Sequence, residues 1–410
     1  MSTNWAGNVT FSAARTAHPT SVGELQDAVR TAGSARVVGA GHSFSTIADT
    51  DGTLISLDRM PEVFEIRDAS VRVSAGTRLA RLAERLHAAG LALPAMPSLP
   101  HITIIGACAT ATHGSGNDIP SLAGLVRSLD LVAADGTVRT LTRGDAGFDG
   151  AVVALGSLGV VVALELDVVP TFDVEQRVYQ DMPFDALVEN VDAVFAAAYS
   201  VSAFTTWQGV AHVFAKHRTT DTRHDLTWTG ATPAAEPVHP VPGQPALHCT
   251  TQLGVPGPWH ERLPHFRADF TPSVGRELQS EYFLAREHAA DALRALDDLS
   301  AEITPVLLTS EIRTIAADTQ WLSPVRDRPS VAFHFTWHPD DAAVRAVLRK
   351  VEAALSPWRP RAHWGKLFEL TDPGERYPHW ARFAQLRDEL DPGRTFRNPL
   401  IDGWFTGQAG

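Results

Sequence analysis

The sequence predicts an α+β protein with two domains. Three observations support this prediction: a length of 410 residues with 44% hydrophobic content, a mixture of helical and strand-like patterns early in the chain, and a change of character after Pro170. A chain of this length exceeds what one ordinary core accommodates. We therefore place a boundary near residue 172, with a first domain at 1–172, a second at 173–366, and a segment at 367–410 that returns to the first.

The first domain is predicted to mix helices with strands. Ser21 and Glu24 match a capping box ahead of apolar residues at helical spacing, and Gly33 provides a stop. A second helix ends at Gly90. Its apolar stripe consists of Leu79, Leu82, Ala83 and Leu86. Short apolar and β-branched runs predict strands at 36–38, 54–57, 71–73, 126–132 and 159–168, and from 138 onward.

The second domain is predicted to be a sheet covered by helices. Strands are expected around 311–315 and 331–337, and helices around 184–198 and 342–355. The passage 233–258 is rich in proline, which favours a long ordered loop.

The composition argues against several classes of function. A formal net charge of −12 and a pI near 5.8 disfavour binding to nucleic acid or to an anionic membrane surface. Residues 1–5 do not resemble a signal peptide, and no later stretch reaches the roughly 18 apolar residues of a spanning helix. Cys108 and Cys249 are too few for a disulfide framework and lie outside any metal-ligand spacing. We expect a cytoplasmic protein with no metal site.

A glycine-rich turn follows the strand at 36–38 and consists of Gly39, Ala40, Gly41, His42 and Ser43. Successive backbone N–H groups without bulky side chains suit an anionic pyrophosphate. The turn is not a Rossmann fingerprint, because Phe44 stands where the third glycine belongs. Two alternatives remain at this point: the nucleophile elbow of a serine hydrolase, whose closing glycine is missing here, and a plain surface turn.

A second stretch of small and hydroxyl-bearing residues, 98–116, reads SLPHITIIGACATATHGSG. Such residues let the backbone approach a large flat ligand. Together with the Gly-x-Gly-His-Ser turn, this stretch resembles the flavin-binding region of the vanillyl-alcohol oxidase superfamily, and within it the alditol (xylitol) oxidases. The resemblance implies a two-domain fold of that type, with an FAD-binding domain and a substrate-binding (cap) domain.

The resemblance also implies how FAD would be held. His42 would be joined covalently to the flavin, without a second bond, because Ser98 stands where some relatives have cysteine. Pro97 occupies a position that controls oxygen access to the flavin and that is alanine in alditol oxidases. The other residues that the resemblance assigns to FAD are Gly39, Ala40, Gly41, Ser43, Ser98, Thr103, Gly106, Thr110, Ala111, Thr112, His113, Val160 and Val161.

Polar residues alternate along both strands predicted in the second domain. Glu311 and Arg313 should share one face of the first strand, and His334 and Thr336 one face of the second. Each pair alone is compatible with a solvent-facing surface or a local salt bridge. Two such pairs in a chain with a flavin-like signature favour a ligand site.

The Glu-x-Arg at 311–313 and the His-Trp-x-Lys at 363–366 resemble the substrate domain shared by alditol oxidases and aldonolactone oxidases. The resemblance implies that Arg313 and Lys366 hold the reacting oxygen and stabilise negative charge. His334 is the candidate proton acceptor. The residues that the resemblance assigns to polyol binding are Ser98, Glu311, Arg313, Thr336 and Lys366.

The resemblance implies an FAD-dependent alditol oxidase that oxidises the terminal hydroxyl of a small polyol, such as xylitol or sorbitol, and reduces dioxygen to hydrogen peroxide. An aldonolactone oxidase or dehydrogenase uses the same kinds of residues and is the main alternative. A carbohydrate-binding protein without flavin is the alternative from another class. A monomer is expected.

Overall fold

The computed structural model describes residues 2–270 and 277–406. The strands of its first part are β1 Arg15–Ala17, β2 Ala35–Val38, β3 Thr53–Ser56, β4 Phe64–Arg67, β5 Ser70–Ser74, β6 Leu91–Ala92, β7 Val126–Val132, β8 Val138–Thr142, β9 Val160–Asp167 and β10 Val169–Pro170. A parallel sheet has the order β1-β3-β2, and an antiparallel sheet has the order β4-β5-β9-β7-β8. The strands predicted here are confirmed as β2, β3, β5, β7, β8 and β9.

The helices of the first part are α1 Val22–Arg30, α2 Leu79–Ala88, α3 Ile104–Ala109 and α4 Phe148–Val152. Both predicted helices are confirmed as α1 and α2. The hydroxyl of Ser21 accepts from the backbone N–H of Glu24, but the Glu24 carboxylate accepts from the N–H of Thr20 instead of closing a capping box on Ser21. Helix α3 was not predicted, because its glycine and small residues are typical of a loop.

The second part of the chain forms one large antiparallel sheet. Its strands are β11 Asp173–Met182, β12 Ser200–Thr205, β13 Val210–Arg218, β14 Thr232–Pro233, β15 Gly257–Pro258, β16 Leu278–Ala285, β17 Leu307–Ile315, β18 Ser330–Trp337 and β19 Arg361–Ala362. The order is β14-β11-β13-β12-β17-β18-β16-β19, and β15 also pairs with β11. Both predicted strands are confirmed within β17 and β18. The proline-rich passage between β14 and β15 is a long loop, as predicted.

The remaining helices are α5 Phe184–Glu189, α6 Val191–Phe195, α7 Ala289–Asp297, α8 Ser300–Ile303, α9 Asp341–Leu355, α10 Pro373–Arg376, α11 Trp380–Leu390 and α12 Pro399–Thr406. The helix predicted at 342–355 is confirmed as α9. The continuous helix predicted at 184–198 is wrong, because the chain breaks at Asn190. The Asn190 side chain donates to the carbonyl oxygen of Ala186 and the backbone there leaves the helical region.

Two faces of the large sheet have different neighbours. Tyr282 on β16, Phe333 on β18 and Ile312 on β17 lie side by side in register and pack in one core with Leu293 of α7 and Leu348 of α9. Because successive side chains of a strand point to opposite faces, the residues next to this row face the first part of the chain. The helices therefore cover one face of the sheet and leave the other for a site.

The C-terminal helices pack against the first part of the chain. Trp380 and Phe383 of α11 and Trp404 of α12 belong to the core formed by the first sheets. The buried Arg36 of β2 also donates to the carbonyl oxygen of Phe396. The strands change sheet between β10 and β11, and the domain boundary near residue 172 remains a prediction.

Within residues 2–270 and 277–406, none of the helices combines the length and the apolar character needed to cross a bilayer.

Candidate active site

A cavity of about 430 Å³ lies between the loops of the first part and the face of the large sheet opposite α7 and α9. This volume is typical of sites for small ligands and cofactors. The first part contributes wall residues from 36–48, 97–113 and 151–161, and the proline-rich loop contributes 239–248. The opposite wall comes from β16, β17, β18 and the turn after β19.

The glycine turn after β2 lies on the cavity wall, as predicted. A Cβ atom on Gly39 would run into the hydroxyl of Thr103, and Gly41 has a φ of +71°, so both positions require glycine. The backbone N–H groups of His42 and Ser43 have no hydrogen-bond partner among the described residues. The buried hydroxyl of Ser45 likewise has none within that part of the chain. The turn thus offers unpaired donors to the cavity, which suits an anion.

The N-terminal segment packs against this turn. The indole of Trp5 stacks on the imidazole of His42 with 4.7 Å between the ring centroids. The side-chain amides of Asn4 and Asn8 donate to the carbonyl oxygens of Ser43 and Phe44 at 2.9 and 2.8 Å. Burial lowers the pKa of His42 to about 4, with a smaller contribution from His101. The imidazole is therefore neutral at neutral pH and held against one ring.

The second loop approaches the cavity through α3. Thr103 precedes the helix, and the hydroxyl of Thr112 lies 3.3 Å from Nε2 of His363 on the opposite wall. Cys108 is fully buried, and burial raises the pKa of its thiol. The thiol is therefore a packed, protonated group.

The structure brings most of the predicted site residues to this one cavity. Val160 and Ala111 are the exceptions: both are buried in the core of the first part, and neither lines the cavity. Val160 pairs with Val132 in β9, and the alternation of the strand turns Val161 toward the cavity in its place. The predicted residues on the wall are Gly39, Ala40, Gly41, His42, Ser43, Pro97, Ser98, Thr103, Gly106, Thr110, Thr112, His113, Val161, Glu311, Arg313, His334, Thr336 and Lys366.

Three neighbouring strands place ionisable groups in one row, the charged row, on the opposite wall. Glu281 of β16, His334 of β18 and Glu311 of β17 are aligned in register. The predicted pairing of Glu311 with Arg313 on one face is confirmed, since both line the cavity. The alternative of a solvent-facing surface is wrong, because Glu311, Arg313 and Thr336 are buried and His334 is largely covered.

Glu281 lies between the two predicted cations, Arg313 and Lys366, and contacts both. It accepts a hydrogen bond from Arg313, and its Oε2 lies 2.7 Å from Nζ of Lys366. Burial alone would raise the pKa of Glu281, but Arg313 and Lys366 together hold that pKa well below its usual range. Burial lowers the pKa of Lys366 while Glu281 raises it. The carboxylate therefore keeps both cations fixed at the cavity wall.

Glu311 has a different set of partners. Its Oε1 lies 2.9 Å from Nε2 of His265, and its Oε2 lies 3.5 Å from Nδ1 of His334 and 3.7 Å from Nε of Arg313. Burial would raise the pKa of Glu311, but Arg313 and then His265 hold it well below its usual range. Burial, followed by the charge of Lys366, lowers the pKa of His334 to about 4. Glu311 is thus ionised and His334 neutral at neutral pH.

Comparison with known proteins shows similarity along the whole chain. Residues 13–142 match the family described as FAD binding domain, and residues 273–404 match the family described as D-arabinono-1,4-lactone oxidase. An alditol oxidase from Streptomyces sp. is 49% identical over 414 residues, which is 98% of this chain and 99% of the relative. This chain belongs to the alditol oxidase family.

The chain is also similar to other known proteins. An L-gulono-1,4-lactone dehydrogenase from Mycobacterium tuberculosis is 31% identical, covering 96% of each chain, and an L-gulonolactone oxidase from Mus musculus is 26% identical, covering 98% of this chain and 97% of the relative. A solvent-stable cholesterol oxidase superposes with a TM-score of 0.78 at 16% identity, covering 98% of this chain and 96% of that one. The vanillyl-alcohol-oxidase-type fold is confirmed, and as a member of the alditol oxidase family the protein is an FAD-dependent oxidoreductase.

The residues present fit FAD. The unpaired N–H groups and the buried Ser45 hydroxyl of the glycine turn suit the pyrophosphate. The wall opposite the charged row is formed by apolar side chains such as Val161 and by the small residues of α3, which suits a flat aromatic ring. His42 lies on the same wall.

Sequence reasoning missed several groups of the site in this alditol oxidase family member. Glu281 is one of them, although Gln279 and Glu281 lie two positions apart in β16 and both line the cavity. This two-residue spacing of polar side chains could have indicated that both lie on one face of a strand. His265 and Lys216 gave none, because each is brought to Glu311 by tertiary packing from a distant segment.

Proposed function

We propose that this protein is an FAD-dependent alditol oxidase that oxidises the terminal primary hydroxyl of polyols such as xylitol and sorbitol to the aldose and reduces dioxygen to hydrogen peroxide. The observation that carries this proposal is the row of buried, ion-paired groups that faces the glycine turn across one cavity. Identity of 49% with an alditol oxidase, against 31% and 26% with two lactone-oxidising relatives, supports the polyol.

Arg313 and Lys366 are proposed to bind the reacting hydroxyl. When bound, FAD supplies a two-electron acceptor for the hydrogen on the alcohol carbon. As the hydroxyl proton leaves, negative charge develops on the oxygen, and preorganised cations in a buried site stabilise such charge strongly. Glu281 holds both cations through its two oxygens, so they need little rearrangement during the reaction.

His334 is proposed to accept the hydroxyl proton. Its Nδ1 faces Glu311, while its Nε2 has no hydrogen-bond partner among the described residues. An acceptor carboxylate beside Nδ1 favours the tautomer with the proton on Nδ1. This leaves Nε2 with a lone pair for a substrate proton.

Glu311, Ser98 and Thr336 are proposed to bind the other hydroxyls of the polyol. All three line the cavity, and Glu311 and Thr336 are buried. A substrate that lacked these hydroxyls would leave buried polar groups unpaired, which selects strongly against it. The site therefore favours linear compounds with several neighbouring hydroxyls.

A direct test compares substrates in the absence of oxygen. We expect xylitol to bleach the flavin absorbance faster than gulonolactone at equal concentration, because the site is built for several free hydroxyls. Faster bleaching by the lactone would replace the proposal with the aldonolactone alternative. Peroxide formed in air, counted per xylitol consumed, should approach one. A low yield would identify a dehydrogenase, and Pro97 on the cavity wall would then be the first residue to vary.

His42 is proposed to carry the flavin covalently, as the only such bond. It is neutral and lies on the cavity wall, so it has a nucleophilic nitrogen available. The variant His42→Ala should keep dissociable FAD but lose the ultraviolet-fluorescent band that wild type shows on a denaturing gel. His18→Ala, at an exposed histidine paired with Asp58, is the matched control and should keep the band. A band that persists in His42→Ala would place the bond elsewhere.

The proposal also includes that the protein is a monomer and lies in the cytoplasm. Neither Cys108 nor Cys249 forms a disulfide and both are buried, which supports a reducing compartment. Light scattering of the purified protein checks the monomer.

A further inference from the structure

A buried lysine lies beside His265, which in turn contacts Glu311. Lys216 of β13 is 2% exposed. Its Nζ donates to the carbonyl oxygen of Leu263 and lies 3.3 Å from Nδ1 of His265. Because burying an amine is costly, its placement beside a histidine that contacts the charged row calls for an explanation.

His265 is held firmly between Lys216 and Glu311. Its Nε2 lies 2.9 Å from Oε1 of Glu311. The rings of Phe204 and Phe214 each approach the imidazole edge-on with 5.3 Å between centroids. The backbone N–H of His265 also donates to the carbonyl oxygen of Ser98 at 3.2 Å. The ring therefore has little freedom to turn.

The two neighbours of His265 determine which of its nitrogens carries the proton. An ionised carboxylate only accepts hydrogen bonds, so Nε2 must donate to Glu311. A neutral imidazole then has a lone pair on Nδ1, which requires a donor at that side, and Lys216 supplies one. Without that donor, the proton can move to Nδ1, which would point a lone pair of Nε2 at the carboxylate.

We propose that Lys216 is a positioning residue for polyol oxidation, which fixes His265 in the tautomer that donates to Glu311 and so keeps Glu311 oriented and ionised for a substrate hydroxyl. This inference rests on the proposed function, because it assigns Glu311 to the substrate. A second cavity of about 10 Å³ is lined by Lys216, His265, Glu311 and Ser98 and joins the same groups. Lys216 acts through His265 and does not itself touch the substrate.

The charges around this chain of contacts agree with the assignment. Lys216 is faced by Glu311 and Arg313 of β17 and by His265 and Cys249 from loops. Burial lowers the pKa of Lys216 to about 7, although Glu311 raises it. Burial, followed by the charge of Lys216, lowers the pKa of His265 to about 4, so the imidazole is neutral near neutral pH. Glu311 is also faced by His334 of β18.

The test compares two replacements of Lys216, one that keeps a hydrogen-bond donor and one that has none. Lys216→Met has a similar length and no donor, whereas Lys216→Gln keeps an N–H group. We expect Lys216→Met to raise KM for xylitol and to lower kcat/KM about tenfold, the effect of one hydrogen bond to a charged group. The acidic limb of the pH profile should move up by about one unit, because Glu311 loses a fixed donor. Lys216→Gln should retain most of the activity and the wild-type profile.

A double-mutant cycle with His265→Leu keeps the proposal testable if one variant is unstable. If Lys216 acts through His265, Lys216→Met adds nothing to the kinetic defect of His265→Leu. Additive losses would overturn the proposal. So would a wild-type pH profile and KM in Lys216→Met, or equal losses in the Met and Gln variants. Lys350→Met, at an exposed lysine of α9 paired with Glu302, is the control and should match wild type.

Failure of this inference is distinguishable from failure of the proposed function. A wild-type protein whose flavin is not reduced by any polyol would reject the polyol substrate. A wild-type protein that is reduced by xylitol, with a Lys216→Met variant that behaves identically, would reject only the role of Lys216.

Discussion

Lys366→Met is expected to slow anaerobic flavin reduction by xylitol by about 100- to 1000-fold, the loss seen when one preorganised donor is removed from a developing oxyanion. The physical reason is the position of the ammonium: Nζ lies 2.7 Å from Glu281, beside Arg313, and on the cavity wall. Methionine fills a similar volume without a charge. Stopped-flow absorbance at saturating xylitol measures the rate.

Two controls show that such a loss concerns chemistry. The content of bound FAD should equal that of wild type, because the glycine turn lies on the other wall of the cavity. Reduction by dithionite, which needs no substrate site, should also be unchanged. A reduction rate with xylitol within about twofold of wild type, less than 0.5 kcal/mol in barrier, would remove Lys366 from the proposed chemistry.

Glu281→Gln is expected to destabilise the protein by about 3–5 kcal/mol at neutral pH, the usual cost of removing one partner from a buried ion pair. The wild-type carboxylate is buried and neutralises Arg313 and Lys366, and the amide leaves both cations with less opposite charge. Urea unfolding of the FAD-loaded proteins measures the change. Glu302→Gln, which removes the exposed partner of Lys350, is the matched control and should cost less than about 1 kcal/mol. Equal costs in the two variants would contradict the prediction.

The difference in stability between wild type and Glu281→Gln should also depend on pH. Burial would raise the pKa of Glu281, but Arg313 and Lys366 depress it well below the ordinary value of 4.5. Its ionised form therefore stabilises the folded state at pH values above 4.5, and this contribution is lost as the pH falls from 4.5 toward the folded pKa. The difference in unfolding free energy between wild type and Glu281→Gln should shrink over that acidic range. A difference that stays constant there would show that Glu281 is not held ionised by its partners.

Local patterns in the sequence predicted much of the fold. Helices α1 and α2 have clear stripes and stop signals, and β7 and β9 are short apolar runs between turns, so their propensity and their tertiary role agree. Strands β11 and β16 were missed because polar residues interrupt their apolar pattern, and in β16 two of those residues, Gln279 and Glu281, line the cavity. The split at Asn190 was missed because a side-chain hydrogen bond to the backbone decided it.

The site was predictable where its residues share a strand or a turn. Glu311 and Arg313, or Gly39 to Ser43, are neighbours in sequence, and local geometry alone puts them on one wall. Trp5, Lys216 and His265 reach the site from elsewhere in the chain. Their local sequence does not predict their place at the site, because only the packing of distant segments brings them there.

The ionised groups around the proposed substrate also have a consequence for which sugars can enter. Glu281 and Glu311 balance Arg313 and Lys366, so the buried wall carries no net charge from these four groups. A neutral polyol leaves this balance intact, whereas an aldonate or a sugar phosphate would bring in a charge that has no partner left to neutralise it. Acidic or phosphorylated sugars of the right length are therefore expected to bind more weakly than neutral polyols.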